Sequence, residues 1–132
     1  MNAIYSRAWA RALTGNGVNA RIDADTAMAL SPIDPARFAM LATRALAHLV
    51  NDEGVEAAAW ADRAAVSPGA HVMVLVAAAA CHAVAGTHDK AQFWADEAKR
   101  RNPALTQSDF FFSMPFTQMR PRIAAVLTQL GL

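Results

Sequence analysis

The chain has 132 residues, enough for one domain with a real core. It is 55% hydrophobic and 17% charged, which excludes a disordered chain, and its net charge of +1 gives no general field for nucleic acid or acidic membranes. The single cysteine, Cys81, cannot form an internal disulfide, and that favours a reducing cytoplasm.

Taken in chain order, apolar spacing and breakers predict eight helices near 2–14, 18–30, 35–50, 54–66, 70–85, 88–101, 106–113 and 118–130. The opening residues carry Arg7 and Arg11 where a signal peptide needs an apolar centre, so no targeting segment is expected. Asp34-Pro35 is a start signal, an N-cap followed by proline in the first turn. The stretch 64–88 has no acidic residue, Lys or Arg. Its purely apolar run is only Val72 to Cys81, which predicts a buried helix and not a membrane span. Thr106-Gln-Ser-Asp109 reads as a capping box, Pro115 separates the last two helices, and Gly131 is a stop.

Six of these helices form three copies of a two-helix unit. Ala20-Arg-Ile-Asp-Ala-Asp-Thr-Ala27 returns as Ala57-Ala-Ala-Trp-Ala-Asp-Arg-Ala64 and as Ala91-Gln-Phe-Trp-Ala-Asp-Glu-Ala98, at spacings of 37 and 34 residues. Upstream of each phrase come a small residue (Ala8, Ala45, Ala79), then Arg11, His48 or His82, then a turn residue (Gly15, Asp52, Gly86). A proline closes each unit: Pro32, Pro68, Pro103. A period near 34 means stacked helical hairpins, each too small to fold alone. Alanines one helical turn apart let the second helix of a hairpin lie close to the first. Glycine at the reversal suits positive φ, and proline cannot continue the helix.

These features resemble the tetratricopeptide repeat family from about residue 2 to 102. The chain differs in having Ile4, Leu41 and Leu75 where the family has an aromatic in its first helix. The resemblance implies an all-α, right-handed superhelical α-solenoid: one domain over 1–132, with units at about 2–34, 35–68 and 69–103 and a C-terminal helical cap at 104–132. Leu30-Ser-Pro-Ile-Asp-Pro-Ala-Arg-Phe38, Pro115-Phe116 and Leu130-Gly131-Leu132 look like the repeat-containing tail of bacterial winged-helix regulators and class III adenylate cyclases, which implies a regulatory or assembly role.

In the family, the first helix of each hairpin lines a concave groove. The resemblance therefore places a partner-binding groove at Tyr5, Trp9, Leu13, Leu46, Leu49, Val50, Met73, Val76 and Ala80. Ala12, Ala42 and Val84 belong to the same face. The Lys, Arg and Asn that some members use to hold a peptide carboxylate are missing. The expected ligand is thus an amphipathic helix or an apolar peptide, with no nucleic acid, membrane, small-molecule substrate, cofactor or metal. The alternative is self-assembly as a homodimer with no separate ligand. A further possibility is that the cap fills the groove. That cap is rich in Phe110, Phe111, Phe112, Met114 and Phe116, followed by Met119, Ile123, Val126, Leu127 and Leu130 at helical spacing.

Catalytic patterns are weak. Cys81, His82 and His88 point in different directions on a helix, which disfavours a metal site and a Cys-His nucleophile pair. His48 and His82 are expected between helices, hydrogen-bonded. Asp25, Asp62 and Asp96 are expected on solvated faces or paired with Arg21, Arg63 and Lys99. Trp60 and Trp94 are expected to pack between hairpins. Lys99-Arg100-Arg101 complements a helix C-terminus.

Overall fold

The computed structural model describes residues 3–30 and 37–132. Within them the chain forms eight helices: α1 (Ala3–Leu13), α2 (Gly17–Leu30), α3 (Arg37–Val50), α4 (Gly54–Ala65), α5 (Val72–Ala85), α6 (His88–Arg101), α7 (Gln107–Ser113) and α8 (Arg120–Gln129). No strand occurs among the described residues, so the chain is all-α. The predicted elements and the observed ones agree in number and order, with ends differing by at most two residues. Pro32 and the Asp34-Pro35 start lie outside the described residues. Every helix from α1 to α5 packs on the next one, and α1 packs on α3 and α3 on α5.

The three hairpins close in the same way. Asn16 N–H donates to Arg11 O at 2.7 Å, Glu53 N–H to His48 O at 2.9 Å, and Thr87 N–H to His82 O at 2.9 Å. In each case the residue just before the donor is left-handed: Gly15 at φ 90°, Asp52 at 61° and Gly86 at 87°. This is the helix stop in which a left-handed residue turns the chain and satisfies the last carbonyls. Aspartate is among the few side chains that tolerate the position, so the second unit closes without glycine.

The predicted alanine faces are the hairpin seams. Ala20, Ala24, Ala57, Ala61, Ala64, Ala91, Ala95 and Ala98 are all buried. Ala8 and Ala27 lie outside the described side chains. A second close approach joins successive hairpins. A Cβ on Gly17 would collide with the backbone oxygen of Ala47 on α3, and one on Gly54 would stand 3.2 Å from the Cα of Ala85 on α5. The two glycines occupy the same place in successive units. Gly17→Ala is expected to destabilise the fold by about 1–3 kcal/mol, because a backbone oxygen cannot move aside as a side-chain end can. Urea unfolding measures this, and a loss below about 0.5 kcal/mol would show that α2 and α3 are not held this close.

Helix α5 is the centre. Its ten residues from Met73 to His82 are all buried, by α3, α4, α6, α7 and α8. The uncharged run at Val72–Cys81 is therefore a core helix, and no described helix is long and apolar enough to cross a membrane.

The C-terminal segment does not simply continue the stack. After the capping box, in which Thr106 and Asp109 satisfy each other's backbone, α7 and α8 lie against α5. The link between them reaches α1, where the Thr117 N–H and hydroxyl both donate to Leu13 O, at 3.3 and 3.2 Å. Arg122 on α8 pairs with Asp52 at the second turn, at 2.9 Å. The segment thus reaches from α5 back to the end of α1 and to the second turn.

Candidate interaction surface

Side chains from α1, α3 and α5 contribute to one apolar core, and the C-terminal segment packs into it against α5. Phe110, Phe111, Met114, Phe116, Ile123 and Leu127 are buried in the same core as Leu46, Leu49, Leu75 and Val76. Phe110 is flanked by Phe111 edge-on at 5.3 Å and by Phe116 stacked at 6.3 Å. Of the residues assigned to the groove from sequence, Leu13, Leu46, Leu49, Val76 and Ala80 are core, and Val50 is half-buried against it. The side chain of Tyr5 lies outside the described residues.

Trp9 and Met73 remain at an open cleft. Its volume is about 170 Å³, and its walls come from Trp9 on α1, Phe38, Ala39 and Ala42 on α3, His71, Met73 and Val74 at the start of α5, and Ser113 and Met114 at the end of α7. The His71 ring caps α5 by accepting from the Met73 N–H at 3.2 Å, which fixes that side of the mouth. A second, shallower concavity of about 480 Å³ lies on the other side of α7, lined by Ser108, Phe111, Phe112, Pro115 and Arg120. The Arg120 guanidinium sits over the Phe111 ring at 4.5 Å. Phe112, on the rim of this second concavity, is 88% exposed.

The polar groups on the opposite side are joints between helices. Asp23 is buried on α2 and receives both Arg7, through two 2.9 Å bonds, and Arg11, at 2.7 Å. The Arg7 hydrogen bonds hold its carboxyl below the ordinary value of 3.8; burial opposes them, and the Arg11 charge adds to them. A carboxyl whose folded pKa is lowered adds stability above its unfolded value, and that stability is lost as pH falls through the folded value. The urea midpoint is therefore expected to fall as pH drops below about 4, more steeply in the wild type than in Asp23→Asn. Equal slopes would show that the triad contributes nothing to acid sensitivity.

Asp25 and Asp96 lie on exposed faces, one of the two expectations, and the partners of the three aspartates are other than the basic neighbours on their own helices. Asp25 pairs with Arg44 of α3, not with Arg21. Asp62 accepts from His82 Nε2 at 2.7 Å, from Trp94 Nε1 at 3.0 Å and from Lys90 at 3.4 Å, not from Arg63. Asp96 accepts from Gln92 at 2.9 Å, not from Lys99. The physical reason is direction. These carboxylates look toward the adjoining helix or back one turn, and the basic neighbours on the same helix point elsewhere.

Both histidines lie between helices as expected. Arg44 Nε–H donates to His48 Nε2 at 3.0 Å, so that nitrogen carries no proton and Nδ1–H faces Glu53 at 3.0 Å. His82 uses its other ring nitrogen as the donor. Its Nε2–H meets Asp62, and its buried Nδ1 has no hydrogen-bond partner among the described residues. Trp60 is sandwiched by Arg44 at 4.5 Å and Arg63 at 4.3 Å.

Neither histidine faces the cleft. Burial, with Asp62 nearby, pushes the Cys81 thiol up to about 12, so it is protonated and inert near neutrality. Among the described residues, no group of three or more His, Cys, Asp or Glu side chains could hold a metal. What the cleft offers chemically is apolar contact. Comparison with protein-family models, with curated proteins and with solved structures gave no match.

Proposed function

We propose that this chain is a tetratricopeptide-like solenoid of three hairpins that serves as a non-enzymatic protein-interaction module of regulatory or scaffolding type. Its inner face binds an apolar or amphipathic segment. The architecture is supported by the repeated closing bonds at Arg11, His48 and His82, the alanine seams, and the packing of α1 on α3 and of α3 on α5. The observation that carries the binding role is the unfilled cleft between Trp9 and Met73. It is apolar, it lies on the face the family uses, and it opens beside an aromatic row already seated there. The C-terminal segment packs in cis beside the cleft, which limits a partner to a short stretch anchored by one or two large side chains.

The test is selection from a displayed library of 16-residue amphipathic helices on the full chain, repeated with Ala39→Arg. Arginine at this half-buried position fills the cleft with its methylenes and keeps its charge at the mouth. Enrichment of apolar sequences that bind the wild type and lose at least tenfold in affinity to Ala39→Arg supports the module. Binders that are indifferent to Ala39→Arg, or no binders at all, would remove the peptide-binding reading.

A further inference from the structure

We propose that the cleft receives Phe112 of a second copy of this chain, so that two protomers pair about a two-fold axis with each Phe112 ring in the other's cleft. This deepens the binding role argued for the cleft by naming the partner.

Three observations carry it. Phe112 is 88% exposed, although its neighbours Phe110 and Phe111 on the same short helix are buried. Phe112 forms one wall of the shallow concavity beside Phe111, yet its ring inserts into nothing in its own chain. The cleft has the matching size: it measures about 170 Å³, and apolar cavities of about 150 Å³ hold a benzene ring. Its walls also suit a phenyl ring, with Trp9 and Phe38 offering aromatic contact and Met73 and Met114 offering thioethers.

The third observation is position. Ser113, the next residue after Phe112, lines the cleft. A knob beside a hole is what a two-fold contact requires, because the same patch on both copies must be complementary to itself. A knob far from its hole would instead build an open chain of subunits.

The surroundings extend the contact. Two phenyl rings seated reciprocally bury roughly 300–500 Å² of aromatic surface, a central anchor for an interface of about 1,600 Å² in total. The concavity lined by Ser108, Phe111, Phe112, Pro115 and Arg120 lies in the same patch and extends it. Arg120, held over Phe111, gives that rim a fixed cation.

The experiment is sedimentation equilibrium of the full chain over a thousandfold range of concentration. The monomer mass is 14.1 kDa. The wild type is expected to rise to twice that value. Phe112→Ala and Ala39→Arg, one emptying the knob and one blocking the hole, are expected to raise the midpoint concentration of pairing at least tenfold. Thermal unfolding at dilutions where both are monomeric is expected to show equal midpoints for the wild type and Phe112→Ala, since the Phe112 ring lies outside the core. A wild type that stays monomeric throughout overturns the proposal, as does a dimer that survives Phe112→Ala. A monomeric wild type that still selects peptides in an Ala39→Arg-sensitive way would overturn only the self-pairing and leave the cleft a site for another protein.

Discussion

Phe110→Ala is expected to destabilise the chain by about 3–5 kcal/mol, the range for emptying a fully buried aromatic site. Phe110 is 1% exposed and stands between two other rings. Its truncation removes the ring's own burial and also one wall for Phe111 and Phe116. Collapse cannot refill the gap, because α7 has only seven residues and is fixed at its start by the capping box. Urea unfolding followed by circular dichroism measures the loss. Phe112→Ala on the same helix serves as the contrast, with an expected change of under 0.5 kcal/mol in the monomer because that ring is in water. A Phe110→Ala cost near that of Phe112→Ala would mean that the aromatic row is not part of the core.

Asp62→Ala is expected to cost about 2–4 kcal/mol, although Asp62 is a partly exposed residue on an outer helix. Its carboxylate is the only acceptor the described residues give to the His82 ring and to the Trp94 indole. Removing it leaves the buried His82 with neither nitrogen satisfied, because Nδ1 has no partner to begin with. Burial raises the Asp62 carboxyl, but the hydrogen bonds from His82 and Trp94, with the His82 and Lys90 charges, outweigh it and set the value below normal. Asp62→Asn retains one acceptor oxygen and is expected to recover about half of the loss. Equal stability of Asp62→Ala and the wild type in urea would show that this joint is neutral.

The helices were legible because their signals are local. Alanines at one-turn spacing, glycine at the reversals and the Thr106–Asp109 box each act within a few residues of themselves. The joints were less legible. Gly17 and Gly54 recur at the same interval as the first two phrases, and that interval was the available signal. Their reason, a neighbouring helix backbone at contact distance, exists only once the hairpins are assembled. Asp23 gave no sign of meeting Arg7 and Arg11, because it stands where later units have tryptophan and the pairing crosses from α2 to α1. The destination of the Phe-rich segment was not written in its spacing either. An apolar helix announces that it will be buried, but not on which face, and that choice depends on α1, α3 and α5 being placed first. The cleft followed from the same placement: Trp9 and Met73 were read as groove residues, while Ser113 and Met114 on its far side come from a segment expected at the end of the stack.

The contact of Thr117 with Leu13 joins positions 104 residues apart. Arrays in which each unit touches only its neighbours can fray from either end, losing one hairpin at a time. Here the link between α7 and α8 is tied to the end of α1, so α1 cannot open without breaking that tie. Amide exchange in α1 should thus track global unfolding and not local fraying. The same tie delays completion of the fold during synthesis. The three hairpins can form in turn as they emerge, but the core stays incomplete until the residues around Thr117 are free to reach back to α1. For that interval the nascent chain presents an uncovered apolar surface, the stage at which it is most exposed to aggregation.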